Sequence, residues 1–322
     1  MKKTVNVIVT GIKNNPIVIA SLAIFAVMLL FVPKFATADN LMSLLGQMSY
    51  LGIATVGLAF VLVGGGNDLS IGSIMTITGV VAAMCMSAGM PIAMAIIIAL
   101  AVGAGIGVLN GAFVAGLGVN AFMMTLITQM LFEGIALAIT NATSITGLPE
   151  TFVAMPYETI LFIPIPIVIM LAVYIVGHIV LTKSVYGRKL FVTGANAKAA
   201  KLVGIKIGAV LLGAYVISGI LGGVAGIIVT SRLGVGSPAS GSNIILDIIS
   251  AAVIGGNSLF GGKGSIIGAA FGVLLLGLIS NGLTLLGAEW ATTMIIKGLI
   301  ILLAVGIDVM SSKLMTKKML AN

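Results

Sequence analysis

The chain has 322 residues, 60% of them hydrophobic and 7% charged, with a formal net charge of +8 and a mean hydropathy of +1.28. A soluble domain carries roughly 25% charged residues, so a water-soluble particle is excluded. Recurrent apolar runs of near-membrane length make this an all-α, polytopic helical bundle. The basic excess sits in loops between those runs, where it sets orientation and does not signal nucleic acid.

Taken in chain order, the apolar segments predict about ten spans, at roughly 15–33, 45–63, 72–89, 91–114, 121–141, 160–181, 208–230, 243–257, 265–286 and 291–310. The first, from Pro16 to Pro33, exceeds the usual 7–15-residue core of a signal peptide and reads as an uncleaved span. Spans three and eight are short or glycine-interrupted and suit re-entrant segments. Ten spans put both termini on one side. Thirteen Lys and Arg residues then fall on the cytoplasmic side and two, Lys34 and Arg232, outside, as the positive-inside rule requires. Asn141 to Thr159, with Pro149 and Pro156, predicts an ordered external cap. Trp290, Tyr50 and Tyr157 fall near predicted interfaces as anchors. Residues 1–322 form a single membrane domain.

Gly103, Gly107 and Gly111 repeat every four residues, and Gly268, Gly272 and Gly277 stud span nine, so helix backbones pack closely there. One internal echo is present. Gly65-Gly66-Asn67-Asp68-Leu69, followed by Gly72-Ser73-Ile74, is repeated as Gly255-Gly256-Asn257-Ser258-Leu259, followed by Gly264-Ser265-Ile266.

Few residues carry reactive chemistry. Cys85 is a lone cysteine and reads as a small buried hydrophobe. His178 is the only histidine, so no catalytic dyad or His-rich metal site is expected. Gly256–Gly264 departs from the phosphate-loop pattern at Asn257 and Gly264. No catalytic residue and no metal or cofactor is assigned to this chain. The charges within or bordering spans are Asp68, Glu133, Asp247, Lys297 and Asp308, and each needs a reason in the bilayer. Asp68, with Ser70, suits the start of span three. Glu133 and Asp247 are candidates for a water-lined interior, with Lys297 able to neutralise one of them. Asn110, Phe122, Thr125 and Asn281 supply the amides, hydroxyls and aromatic faces a polyol path uses. Interhelical hydrogen bonding is the structural alternative for each.

The longest basic stretch is Lys183–Lys206, with six of the sixteen Lys and Arg residues and no acid. Asn196 can cap a helix through Ala197 to Val203, and Gly204 can end it.

Gly65–Ser73 (GGNDLSIGS) resembles the G-G-I-D-L-S-V-G-S signature of permease subunits of bacterial ATP-binding-cassette (ABC) sugar importers of the ribose type. Further matches follow in order: Leu109-Asn110-Gly111, Val119–Leu126, Tyr186-Gly187-Arg188, Gly194–Ala200, Ala251–Ser265 and Lys297–Val305. Two departures are Asn67, where the family has an apolar residue, and Ile245, where it commonly has Glu. The resemblance implies a type II importer-like permease in the cytoplasmic (inner) membrane, with both termini cytoplasmic. Its implied partners are a second permease copy or paralogue, an extracytoplasmic solute-binding protein and ABC ATPase subunits that carry ATP and Mg. The coupling loop, about 183–206, would dock into the ATPase through Gly194, Asn196, Ala199, Ala200, Leu202, Val203 and Gly204, or else lie on anionic lipid. The expected cargo is a monosaccharide such as a ribose-like pentose. A nucleoside, autoinducer or branched amino acid is the alternative within the superfamily. An ion-coupled secondary transporter using Glu133 and Asp247 is the alternative from another class.

Overall fold

The computed structural model describes residues 16–289, 291–300, 302, 303 and 306. Asp308, Trp290 and the basic residues at 2, 3, 13, 313, 317 and 318 lie outside the described residues. The described part is mostly helical, with one ribbon, Thr159–Ile160 paired with Ile163–Pro164, among its loops. The helices are α1 (Pro16–Phe31), α2 (Ala38–Val63), α3 (Ile71–Ser87), α4 (Ile92–Gly111), α5 (Ala121–Ile139), α6 (Glu150–Ala154), α7 (Ile165–Lys183), α8 (Val185–Ala195), α9 (Ala197–Leu202), α10 (Ile207–Leu233), α11 (Ile245–Ile254), α12 (Ile266–Leu285) and α13 (Ala291–Ile300).

Six of these are long and apolar enough to cross a membrane: α2, α4 with its π-helical extension Ala112–Gly116, α5, α7, α10 and α12. Four more, α1, α3, α11 and α13, are apolar but shorter. Each apolar segment expected from the sequence therefore contains one helix, although the ends differ: 160–164, expected in the sixth span, forms the ribbon before α7, and α11 covers only Ile245–Ile254 of 243–257. The two expected to be short, α3 and α11, are.

The core forms around α2 and α10. From Leu51 to Val63, α2 is buried on every side, which marks an interior helix. Helix α4 lies against α10 through its glycine stripe. A Cβ at Gly103 would sit 2.6 Å from the Gly219 carbonyl oxygen, and one at Gly111 would sit 2.9 Å from the Leu212 Cα. Small residues bring backbones this close where lipid gives no hydrophobic drive for helix association.

The chain reaches α3 by an extended path. It leaves α2 at Gly64–Gly65, beside α8, and runs along α10. There the Tyr215 hydroxyl donates to the Asn67 carbonyl oxygen at 2.9 Å and the Ser218 hydroxyl to Asp68 at 2.6 Å. Helix α3 then begins level with Ser218 and Gly222, near the middle of the 27-residue α10. The reverse happens after α10. Residues 235–244 run irregularly back along α3, from Gly236 beside Ala83 to Gly241 beside Gly72. The Gly241 N–H donates to the Thr76 hydroxyl at 2.9 Å. So each of the short helices α3 and α11 is preceded by an irregular segment that runs along a neighbouring helix.

The expected cap over 141–159 is ordered. Ile145 bridges Gly236, α6 buries Phe152, and the Ser231 hydroxyl donates to the Phe152 carbonyl oxygen.

Candidate coupling and translocation sites

The internal echo is a shared turn chemistry. Helix α2 ends with Gly65 at φ +83°. There the Gly65 N–H donates to the Leu62 carbonyl oxygen at 2.9 Å and the Gly66 N–H to that of Val61 at 3.0 Å. Helix α11 ends with Gly256 at φ +86°. Gly256 donates to Val253 at 2.8 Å and Asn257 to Ala252 at 3.0 Å. Both are left-handed glycine terminations with paired reverse hydrogen bonds. A loop side chain then holds the N-cap residue of the next helix. Asp68 Oδ1 accepts from the Ser70 N–H, and Asn257 Oδ1 from the Ser265 N–H, each at 3.0 Å.

These two turns meet the basic loop at one place. Gly262 donates its N–H to the Val63 carbonyl oxygen at 2.9 Å. Gly194, near the end of α8, lies over that junction, and a Cβ on it would sit 2.6 Å from the Gly262 nitrogen and 3.0 Å from the Gly64 carbonyl carbon. Gly194 is thus a close-packing position between α8, the end of α2 and the loop before α12.

Beyond it, Asn196 caps α9 as expected, its side chain accepting from the Ala199 N–H at 3.0 Å. Gly204 closes the turn at φ +80°. Leu202 and Val203 are 89% and 73% exposed. Ala199 is also exposed, but Ala200 is fully buried. This corrects the expectation that both alanines offer a docking surface. With α9 packed on α8, its fourth residue turns inward, and Ala200 anchors α9 to the chain's own body. Lys198, Lys201 and Lys206 are exposed around this end. An open groove of about 590 Å³ runs beside them, lined by Tyr186, Lys189, Gly204 and Lys206 among others. The Tyr186 hydroxyl donates to the Val210 carbonyl oxygen at 3.0 Å. Burial pushes its pKa well up, so it stays a protonated donor.

The eight path candidates fall into one buried group of four and four separate positions. Asp68, Ser70, Asn110 and Thr125 are buried in a single network. The Ser70 hydroxyl donates to Asp68 at 2.5 Å and accepts from the Asn110 amide at 2.8 Å. Thr128 donates to Asn110 at 2.7 Å, and the Thr125 hydroxyl accepts from the Leu69 N–H at 3.1 Å. Ser73 donates its N–H to Gln129 at 3.1 Å. Together these polar groups pin the start of α3 to α4, α5 and α10. Interhelical hydrogen bonding, the structural alternative, is what these four side chains do in the fold. Ser218, which completes the Asp68 shell, was not singled out in the sequence because it lies 150 residues away.

The other four lie apart. Phe122 is 49% exposed on α5. Glu133 is half-buried and accepts from the Ser242 hydroxyl. Asp247 pairs with Lys297 at 2.8 Å, and both side chains are partly exposed. That pair borders a small cavity of about 80 Å³ with Gln47, Tyr50 and Ser280. Asn281 and Asn40 exchange amide hydrogen bonds at 2.7 and 3.0 Å, joining α12 to α2. His178 lies on α7 with an unpartnered Nδ1. No cluster of three metal-binding side chains occurs among the described residues.

A family model described as branched-chain amino acid transport system / permease component matches residues 40–305. The chain belongs to that family. Among its relatives is the ribose import permease protein of Haemophilus influenzae, 37% identical over 294 residues that cover 90% of this chain and 91% of the relative. The D-allose transport system permease protein of Escherichia coli K12 is 34% identical and covers 87% of this chain and 86% of its own. The xylose transport system permease protein of the same organism is 31% identical, covering 93% of each. No solved structure matches the chain. Family and helices together make it a multi-pass membrane protein of the permease class.

Proposed function

We propose that this chain is the membrane-spanning permease subunit of an ATP-driven, binding-protein-dependent importer of a monosaccharide, a ribose-like pentose or similar sugar. The observation that carries the reading is full-length similarity to permeases named for ribose, allose and xylose. All three are neutral polyols that differ in hydroxyl stereochemistry and chain length.

In this reading the six long and four shorter apolar helices make ten crossings, and both termini lie in the cytoplasm with the basic end. Energy enters from a separate ATPase subunit, which binds ATP and Mg. The surface that receives it is the exposed tip of α9, with Leu202 and Val203 as the apolar contact and Lys198, Lys201 and Lys206 meeting an acidic rim. Gly194, packed on the end of α2 and the loop before α12, passes that motion to the interior. An extracytoplasmic binding protein delivers the sugar at the opposite end, where Asp39, Tyr157 and Arg232 border a vestibule of about 360 Å³. The permease works as a pair, by alternating access.

The test is to purify the tagged chain from its native membrane in mild detergent and identify what comes with it by mass spectrometry. An ATPase and a secreted binding protein loaded with a pentose or hexose are the expected companions. Recovery of the permease alone, transporting a solute in liposomes under an ion gradient, refutes the reading.

A further inference from the structure

Two grooves along α10 lie end to end, one basic and one apolar. The basic one is the open groove of about 590 Å³ beside the loop after α9. Val185, Tyr186 and Lys189 share a face of α8 and line it together with Gly204, Lys206 and Ala209. The apolar one holds about 500 Å³ between α7 and α10. It is lined by Val168, Val176 and Val180 of α7, Ile217 and Leu221 of α10, and Phe60 of α2. Tyr186 stands at the join. Its hydroxyl donates to the Val210 carbonyl oxygen, and a Cβ on Gly213 would sit 3.1 Å from that hydroxyl. Val180, Tyr186, Val210 and Ile217 pack in one apolar cluster.

The basic end carries uncompensated charge. No Asp or Glu occurs between Glu158 and Asp247, and neither Lys189 nor Lys206 makes an ion pair among the described residues. Arg188 donates to the Lys183 carbonyl oxygen at 3.1 Å and keeps a third cation at the end of α7. Cations at a bilayer surface attract anionic headgroups. The apolar groove follows α7 from Val180 to Val168, about 18 Å at 1.5 Å per residue. One leaflet of a hydrocarbon core about 30 Å thick is about 15 Å deep. A soluble partner could cover the lysines but could not enter a groove that runs this far into hydrocarbon.

We propose that the two grooves together hold one anionic phospholipid, its phosphate between Lys189 and Lys206 and one acyl chain between α7 and α10. Each half of the site matches one half of that molecule in charge, polarity and length. The bound lipid joins α8 to the start of α10 across the base of α9. Lys206 borders both this site and the tip of α9, whereas Lys189 lines the groove. Lipid binding is measured on the permease alone, so the site stands or falls apart from any ATPase, binding protein or cargo.

The test is native mass spectrometry of the full chain in mild detergent, titrated with phosphatidylglycerol or phosphatidylcholine of identical acyl chains. The unmodified chain should retain one phosphatidylglycerol and lose phosphatidylcholine. Lys189→Ala with Lys206→Ala should weaken phosphatidylglycerol binding about 25-fold, from about fivefold per cation at the bilayer surface. Lys198→Ala with Lys201→Ala, at exposed positions on α9, should change nothing. Val176→Trp, at a groove position 59% exposed, should abolish retention by filling the chain's place. Ile175→Trp, next to it and 60% exposed but outside the groove lining, should not. Glycerol phosphate, the anion without chains, should not compete. Equal retention of the two lipids overturns the proposal without any variant. So does equal loss with either lysine pair, equal behaviour of the two tryptophan variants, or displacement by glycerol phosphate.

Discussion

Replacing Gly194 with alanine adds one methyl at the junction of three segments. Its Cβ would sit 2.6 Å from the Gly262 nitrogen and 3.0 Å from the Gly64 carbonyl carbon, and closer still to the Val63 carbonyl oxygen. Optimal non-bonded separations are about 3.5 Å, so the backbone of α8 must retreat by roughly an ångström. All three neighbours are main chain, and no side-chain rotation relieves them. Overpacking costs about 1–3 kcal/mol, and backbone-on-backbone contact puts this site near 3 kcal/mol. Retreat also strains the Gly262 N–H bond to Val63 at 2.9 Å, the link between the two echo turns. The assay pairs thermal stability of the detergent-purified complex with sugar-stimulated ATP hydrolysis. Gly194→Ala should lower the melting temperature and uncouple hydrolysis from uptake. Gly204→Ala is the comparison. Its site is open, with nothing within 4 Å of an added Cβ, and it carries only the roughly 1–2 kcal/mol of a left-handed residue. A Gly194→Ala protein with normal melting and normal coupling would refute the transmission role given to this junction.

Three further outcomes follow from the geometry. Leu202→Asp and Val203→Asp alter exposed positions and should leave stability within about 0.5 kcal/mol while abolishing ATPase co-purification; Ala200→Glu, at a fully buried position, should instead reduce folded yield in the membrane, read by size-exclusion chromatography. Ser218→Ala removes a donor from buried Asp68 and should cost about 1–3 kcal/mol, measured as a loss in melting temperature with the network otherwise intact. Lys297→Met leaves Asp247 without its partner and should cost about 1–2 kcal/mol, less than a fully buried pair because both groups are partly exposed; Lys297→Met with Asp247→Leu should recover most of it, and a double variant as weak as the single would remove the pairing argument.

Much of the fold is legible because bilayer length and hydropathy leave few choices. The apolar runs located the ten apolar helices, whereas α6 and α8, which lie in the expected cap and the basic loop, were not foreseen as helices. The glycine stripe at 103, 107 and 111 announced a close helix–helix contact, because only small residues allow that approach, though not that its partner is α10. The cap at Asn196 and the stop at Gly204 were readable because both are local, set by residues three or four apart. What the sequence does not carry is direction around a helix and distance across the fold. Ala199 and Ala200 are chemically alike, yet packing against α8 exposes one and buries the other. Asp68 and Asn110 carry the chemistry of a sugar site, but Ser218 and Thr128, supplied by two other helices, convert them into a structural clamp. The shortness of α3 was visible as a weak span. That the segment before it runs along α10 depends on Tyr215 and Ser218, which nothing near residue 68 signals.

In the proposed reading this chain moves a sugar only when another subunit supplies the energy. The direct measurement is uptake of radiolabelled ribose, allose and xylose into proteoliposomes holding the permease, with its ATPase and binding protein added or withheld and ATP present. At least one sugar should accumulate with all three components, and none when either the ATPase or the binding protein is left out. Accumulation by the permease alone, driven by a proton or sodium gradient, would contradict it.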